Sequence, residues 1–239
     1  MDNHAMADGL SQSLKLQRPP VGLAFVESRP ESVGGVTSAA PSACTFWRRG
    51  EEGVFYAGAD DHNECPIGVM TMGFQPNERV QAAAMETLGM FVDLDYFSMD
   101  EVAHLPSVKK PHNGVVYGPL ADMPVDVDVV LVVVSPYQAM LLSEAGGSMA
   151  LKEAPALSVM GRPACAAIPR AISANEITVS LGCIGARTYA EVPEDQALVA
   201  IPVDLLESAV GRMTAMLNAN SALAQHHAAK KAQFELAAS

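Results

Sequence analysis

Cys65 stands in the run HNECPIGV (62–69), between a histidine and an acid on one side and Pro66 and Gly68 on the other. The chain has three more cysteines, Cys44, Cys165 and Cys183. As thiolates, these four are ligands for soft metals: zinc, copper(I) or iron–sulfur clusters. A structural zinc site draws its ligands from close pairs such as C-x-x-C, and this sequence has no such pair, which argues against a zinc knuckle. An iron–sulfur cluster tolerates ligands from distant segments, although the compact ferredoxin spacing is absent too. Four scattered cysteines suit a cubane with four protein ligands, or three ligands with one iron open to substrate as a Lewis acid. Two further chemistries stay open. Cys65-Pro66 has the form of a heme axial thiolate. Cys44 with Cys65, or Cys165 with Cys183, would make a thiol redox pair if their Cα atoms lie within about 7 Å. The competing reading has no cofactor: free cysteine packs as a small hydrophobe, and the protein is then a metal-free module that binds a small metabolite.

The residues around Cys65 supply candidate partners. Asp60, Asp61, His62 and Glu64 form a cluster of hard ligands and bases, which otherwise reads as a solvated loop. His62 titrates in the range useful to a proton donor. Arg187, four residues after Cys183, is a candidate to pair with an anionic substrate; otherwise it is a surface or salt-bridged arginine. Phe46 and Trp47 read as core, and His226 and His227 as solvent-exposed. The glycines of GGVTSAAPSA (34–43) fit neither a dinucleotide nor a P-loop pattern, and G-x-S-x-G and H-E-x-x-H are absent.

The elements that must position these residues alternate. MADGLSQSLKLQ (6–17) reads as a short amphipathic helix stopped by Arg18-Pro19-Pro20. VGLAFV (21–26), GVFYAG (53–58), GVVYGPL (114–120), VDVDVVLVVV (125–134), EITVSLG (176–182) and ALVAIP (197–202) read as strands. CTFWRRG (44–50) fits either a strand or a helical turn, and RPACAAIP (162–169) irregular chain or a short strand. Helices are expected over 77–90, capped by Asn77, over 136–147 with a glycine stop, and over 203–220. The tail, 221–239, either continues that last helix or is loosely held. The fold class is α/β, with a mixed α+β arrangement as the variant.

An internal echo links the two halves. SAC-TFW-R (42–48) resembles PAC-AAIP-R (163–170), and GVFYAG…EC-P-IG (53–68) resembles EITVSLGC-IGA (176–186). Cys44 precedes Cys65 by 21 residues and Cys165 precedes Cys183 by 18. Matching order and similar spacing predict a degenerate tandem duplication. Halves of about 18–120 and 121–220 would then pack around a mixed sheet within a single domain, 1–239. Equivalent sulfurs would meet near the pseudo-twofold axis. A glycine two or three residues after Cys65 and Cys183 lets backbone come close to a bound group. If helices begin there, their amides would face the sulfur and lower its pKa.

Size and charge bound the remaining possibilities. With 239 residues, 49% of them hydrophobic, the chain is long enough to bury a core. A formal charge of −12 argues against nucleic acid or an anionic membrane as partner. The longest apolar run, VVLVVV (129–134), is strand-sized, and the N-terminus lacks the pattern of a secretory signal. The cysteines are therefore expected as free thiols in a reducing cytoplasm. The partner expected is a small-molecule substrate or ligand, in a cleft between the halves if the protein is a binding module. Thirteen methionines and many alanines are compatible with a homo-oligomer surface.

RPPVGLAFV, the SAC-TFWRRG-EEGVFYAG block, HNECPIG with its following GF, VVYGPL, and RPACAAIP…SLGCIGARTYA together resemble the DUF169 family, in family order, over roughly residues 12 to 212. The resemblance implies one globular domain of an archaeal and bacterial cytosolic family in which all four cysteine positions often carry cysteine. It transfers no catalytic residue. The function expected on all these grounds is a cytosolic metal–thiolate protein that binds an iron–sulfur cluster, with His62 or Arg187 near a site for a small anionic molecule.

Overall fold

The computed structural model describes residues 1–94, 98–146 and 158–237. Its centre is a seven-stranded mixed sheet of β1 (Val21–Val26), β2 (Phe55–Gly58), β3 (Gly114–Pro119), β4 (Val129–Val134), β5 (Ser158–Met160), β6 (Thr178–Ser180) and β7 (Ala197–Pro202). The strands lie in the order β2-β3-β1-β4-β7-β6-β5. All neighbours are antiparallel except β5 and β6.

Strand side chains alternate between two faces, and both faces here are covered. Leu23, Phe25, Val115, Tyr117, Val129, Leu131, Leu198 and Ala200 belong to one core. Ala24, Val116, Val130, Val132, Val199 and Ile201 belong to the other. The second core is closed by α1 (Asn3–Leu14), α6 (Pro136–Ala145) and α9 (Val203–Ala237). The first is closed by short helices: α2 (Ala43–Arg49), α3 (Pro66–Met72), α7 (Ala167–Ala174) and α8 (Ile184–Tyr189). Outside α3 lie α4 (Glu78–Asp93) and α5 (Met99–Ala103).

The sheet order has internal regularity. Outward from the antiparallel β1–β4 pair it reads β1-β3-β2 on one side and β4-β7-β6 on the other, with β5 added at the edge. The registers match as well. Val21, which opens β1, faces Pro119, which closes β3; Val129, which opens β4, faces Pro202, which closes β7. Phe55 faces Tyr117 as Thr178 faces Ala200. A twofold axis perpendicular to the sheet between β1 and β4 would therefore exchange the two sets of strands. Such an axis keeps helices of both sets on the same face.

Several local expectations change. Residues 44–49 form a helix, because Ser42 caps them through the Cys44 amide. The segment after Pro163 is not strand but a 3-10 turn, Ala164–Ala166, that runs into α7. The sixth strand covers only Thr178–Ser180, since Gly182 takes a positive φ and turns the chain toward Cys183. Gly146 caps α6, and Gly147 lies outside the described residues, as do the last two residues of the tail. The rest of the tail continues α9 as far as Ala237. No described helix is long and apolar enough to cross a membrane.

Candidate functional site

Each of the four cysteines sits where a helix begins on the same face of the sheet. Cys44 is the second residue of α2. Cys65 is the N-cap of α3, followed by Pro66, whose missing N–H costs nothing in a first helical turn. Cys165 lies in the 3-10 turn that opens α7, and Cys183 is the N-cap of α8. Within the first half, α2 packs on α3. Across the halves, α2 packs on α8, and α3 packs on α7 and its opening turn. These cross-contacts are the ones a twofold exchange of the two strand sets would pair.

The sulfurs consequently share one electrostatic neighbourhood. Burial pushes the Cys44 thiol well above its ordinary value, and negative charge on Cys165, Cys65 or Cys183 pushes it further. Cys165 is pushed up to about 12, by burial first and then by Cys65, with a Thr71 hydrogen bond opposing and Cys183 adding to the rise. The Tyr117 phenol rises for the same reasons, burial followed by Cys44, Cys65 and Cys165. Cys44 and Cys165 are each 5% exposed, whereas Cys65 and Cys183 are half-buried. Two sulfurs thus form a floor and two lie toward solvent. No disulfide joins them. Among the described residues, no three or more His, Cys, Asp or Glu side chains are placed to hold one metal ion. A single tetrahedral ion would need its sulfurs about 4 Å apart.

Polar groups reach the sulfurs from α2 and α3. The Ser42 hydroxyl donates to Cys65 Sγ over 3.5 Å and accepts the Cys44 N–H over 3.4 Å. The Gly68 amide donates to Cys65 Sγ over 3.3 Å, the amide-to-sulfur contact expected of a helix start. The buried Thr71 hydroxyl donates to the Gly68 carbonyl over 3.2 Å. Gly68 is needed for close approach: a Cβ there would stand 2.6 Å from Ala43 Cβ and 2.9 Å from Cys65 Sγ. Gly185 is less constrained, since its added Cβ would lie 3.8 Å from Cys183 Sγ. At Cys44 and Cys165 burial dominates and raises the thiol pKa.

His62 corrects the solvated-loop reading. Asp60 and Glu64 are exposed, and Glu64 pairs with Arg79 at 2.8 Å, but His62 is only 1% exposed. Its Nδ1–H donates to the Gly58 carbonyl over 2.7 Å, so Nε2 accepts the Tyr117 O–H over 2.9 Å. The ring packs against Phe46 and Phe74. Burial lowers its pKa to about 4 against the opposing Gly58 bond, so it is neutral at pH 7. Arg187 is occupied as well: its guanidinium donates to the carbonyls of Leu181, Val192 and Pro193, which pins the chain on both sides of α8. Phe46 and Trp47 are core, and His226 and His227 are exposed, as expected.

Ser42, Thr71 and Tyr117 went unremarked in the sequence. Ser42 had a signal, a capping serine two residues before a cysteine. Thr71 and Tyr117 had none, because only helix packing and strand register bring them to the sulfurs.

A family model, DUF169, described as uncharacterised ArCR, matches residues 9–212. No curated protein and no solved structure matches the chain. The match covers most of the sequence, and the chain belongs to the DUF169 family.

Proposed function

We propose that this DUF169 protein is a metal–thiolate protein in which Cys44, Cys65, Cys165 and Cys183 hold an iron–sulfur cluster. One observation carries the reading: the helices that begin at Cys44, Cys65, Cys165 and Cys183 pack on one another over one face of the sheet, although the cysteines lie up to 139 residues apart. Four thiols massed at four helix starts are costly to ionise together. A soft cationic group is the partner that offsets this cost.

The donor set fits a cluster better than a lone ion. All four donors are soft. Their spacing provides no group of three for one ion among the described residues, whereas a cluster spreads its ligating sulfurs around a core of irons and sulfides. The Ser42 hydroxyl and Gly68 amide at Cys65 are hydrogen bonds of the kind that tune the potential of a cluster. In this reading the group, when bound, supplies electron transfer or an iron acting as a Lewis acid. The half-buried Cys65 and Cys183 mark the side from which a substrate or electron partner approaches. His62 and Tyr117 hold the wall behind Cys44, and Arg187 holds the loop that carries Cys183. The matched registers of the two halves support descent from a duplicated unit, with Cys44 equivalent to Cys165 and Cys65 to Cys183. Free thiols suit a reducing compartment such as the cytoplasm.

The test is isolation of the full chain under anaerobic conditions, followed by iron and acid-labile sulfide analysis. The proposal expects a brown protein with iron and sulfide in equal, stoichiometric amounts. A colourless protein without stoichiometric metal, before and after reconstitution with iron and sulfide, contradicts it and leaves a metal-free binding protein. A sharp Soret band would instead assign heme.

A further inference from the structure

One concavity of the described residues lies away from the sulfurs and not between the halves. It is a groove of about 1120 Å³ formed entirely by the first half, between the outer side of α3, the helices α4 and α5, and the segment 105–113. Binding sites for organic ligands are typically about 300–1,000 Å³ and mostly apolar, with a few placed polar groups. This groove has that character. Phe74, Val80, Leu88, Val102 and Leu105 line it, together with Met70, Met85 and Met99. Met85 and Met99 are 62% and 54% exposed, so adaptable apolar surface is left facing water.

The polar groups of the groove gather along segment 107–113. Lys109 and Lys110 both line it. Lys110 is committed to Asp128 at 2.8 Å, and Asp128 in turn accepts the Phe25 N–H. Lys109 donates to a neutral group, the Ser107 hydroxyl, over 2.7 Å, and no described carboxylate is within ion-pair distance of it. Glu27 is the one acid among the described residues of the lining. With Lys110 neutralised by Asp128, Lys109 is the cation of the lip left without a described carboxylate, on a chain of net charge −12. His112 is not available to an anion, since its Nδ1–H is used on the Lys110 carbonyl.

We propose that this groove binds a small amphipathic anion, an organic molecule with an apolar tail along the methionines and one acidic head at Lys109. The site is independent of the cysteines. Pro66 and Met70 of α3 line the groove, while Val69 and Met72 of the same helix pack in the sheet core.

The test uses calorimetric titration of the full chain with octanoate, octyl phosphate and 1-octanol as probes. Saturable one-to-one binding is expected for at least one of the two anions, and the tighter of them identifies the head as carboxylate or phosphate. Lys109→Met should weaken that anion at least fivefold while leaving 1-octanol unchanged. Met85→Trp fills the groove from an exposed position and should abolish binding of all three probes without changing the melting temperature. A chain with Cys183→Ala, which is remote from α3, α4 and α5, should bind as the native one does, so failure of the cluster assignment leaves this result intact. The proposal is overturned if neither anion saturates at millimolar concentration, or if Lys109→Met weakens 1-octanol and the anion equally. It is also overturned if Met85→Trp converts a native dimer to monomer, which would assign the groove to a second copy of the chain.

Discussion

The two faces of the sheet are built from the same strands but differ in kind. One face is hydrocarbon closed by long helices, with Leu10, Leu142, Leu206 and Met213 fully buried in its core. The other is closed by four helix beginnings and holds every cysteine, together with buried Ser42, His62, Thr71 and Tyr117. A long helix offers its side, which suits packing. A short helix that meets the core by its first turn offers amides and a capping side chain, which suits holding a polar group. The difference teaches that one face is arranged for packing, while the other gathers thiols and buried polar groups and is where the proposed chemistry would lie.

Substitutions can break or sharpen that contrast. The largest effect is expected from Cys165→Ala, which should remove metal retention altogether while the metal-free chain stays folded; elemental analysis beside a melting curve decides it. The mirror case is Leu142→Ala on the opposite face. It should cost about 2–5 kcal/mol in urea unfolding and leave iron content per folded molecule unchanged. If both variants lose stability and metal alike, the faces are not divided in this way.

Acid should act through the chemical face. His62 is neutral when folded because its pKa is lowered to about 4 from 6.5. The unfolded chain therefore takes up this proton first as pH falls. The stabilisation is fully present above pH 6.5 and is lost progressively down to about pH 4. The shift corresponds to roughly 3 kcal/mol. The gap in urea midpoint between the native chain and His62→Gln, which cannot titrate, should shrink between pH 7 and pH 4.5; a constant gap would remove His62 from the account. Tyr117→Phe deletes one buried hydrogen bond to His62 and should cost about 1 kcal/mol. The smallest effect is expected from Arg79→Ala. Its exposed pair with Glu64 is worth at most about 0.5 kcal/mol, and its loss should leave both faces untouched.

The strands were legible because VGLAFV, VVLVVV and ALVAIP are short, apolar and bounded by turn residues, and central strands of a doubly covered sheet look like that. The α/β class followed from their alternation with helices. The helix at Cys44 and the turn at Cys165 were harder to read. CTFW and ACAAIP lack the length for a helical period to show, and it is their caps and packing that decide their state. The order of the cysteines and their spacing pointed to one face, and the four helix starts that carry them do lie on one face of the sheet. His62 was misread because a run of acids looks solvated, and nothing local reveals that Phe46, Phe74 and Tyr117 close around the one ring among them. The groove was invisible in the sequence, since α4, α5 and the Lys109–Lys110 segment meet only through the fold.

The account rests on four sulfurs facing one point, and iron-edge anomalous diffraction from crystals grown anaerobically measures this directly. The predicted map has one compact iron peak on the chemical face, within bonding distance of Cys44, Cys65, Cys165 and Cys183. Four reduced thiols packed against hydrocarbon, with no iron peak beside them in crystals of reconstituted protein, would contradict it.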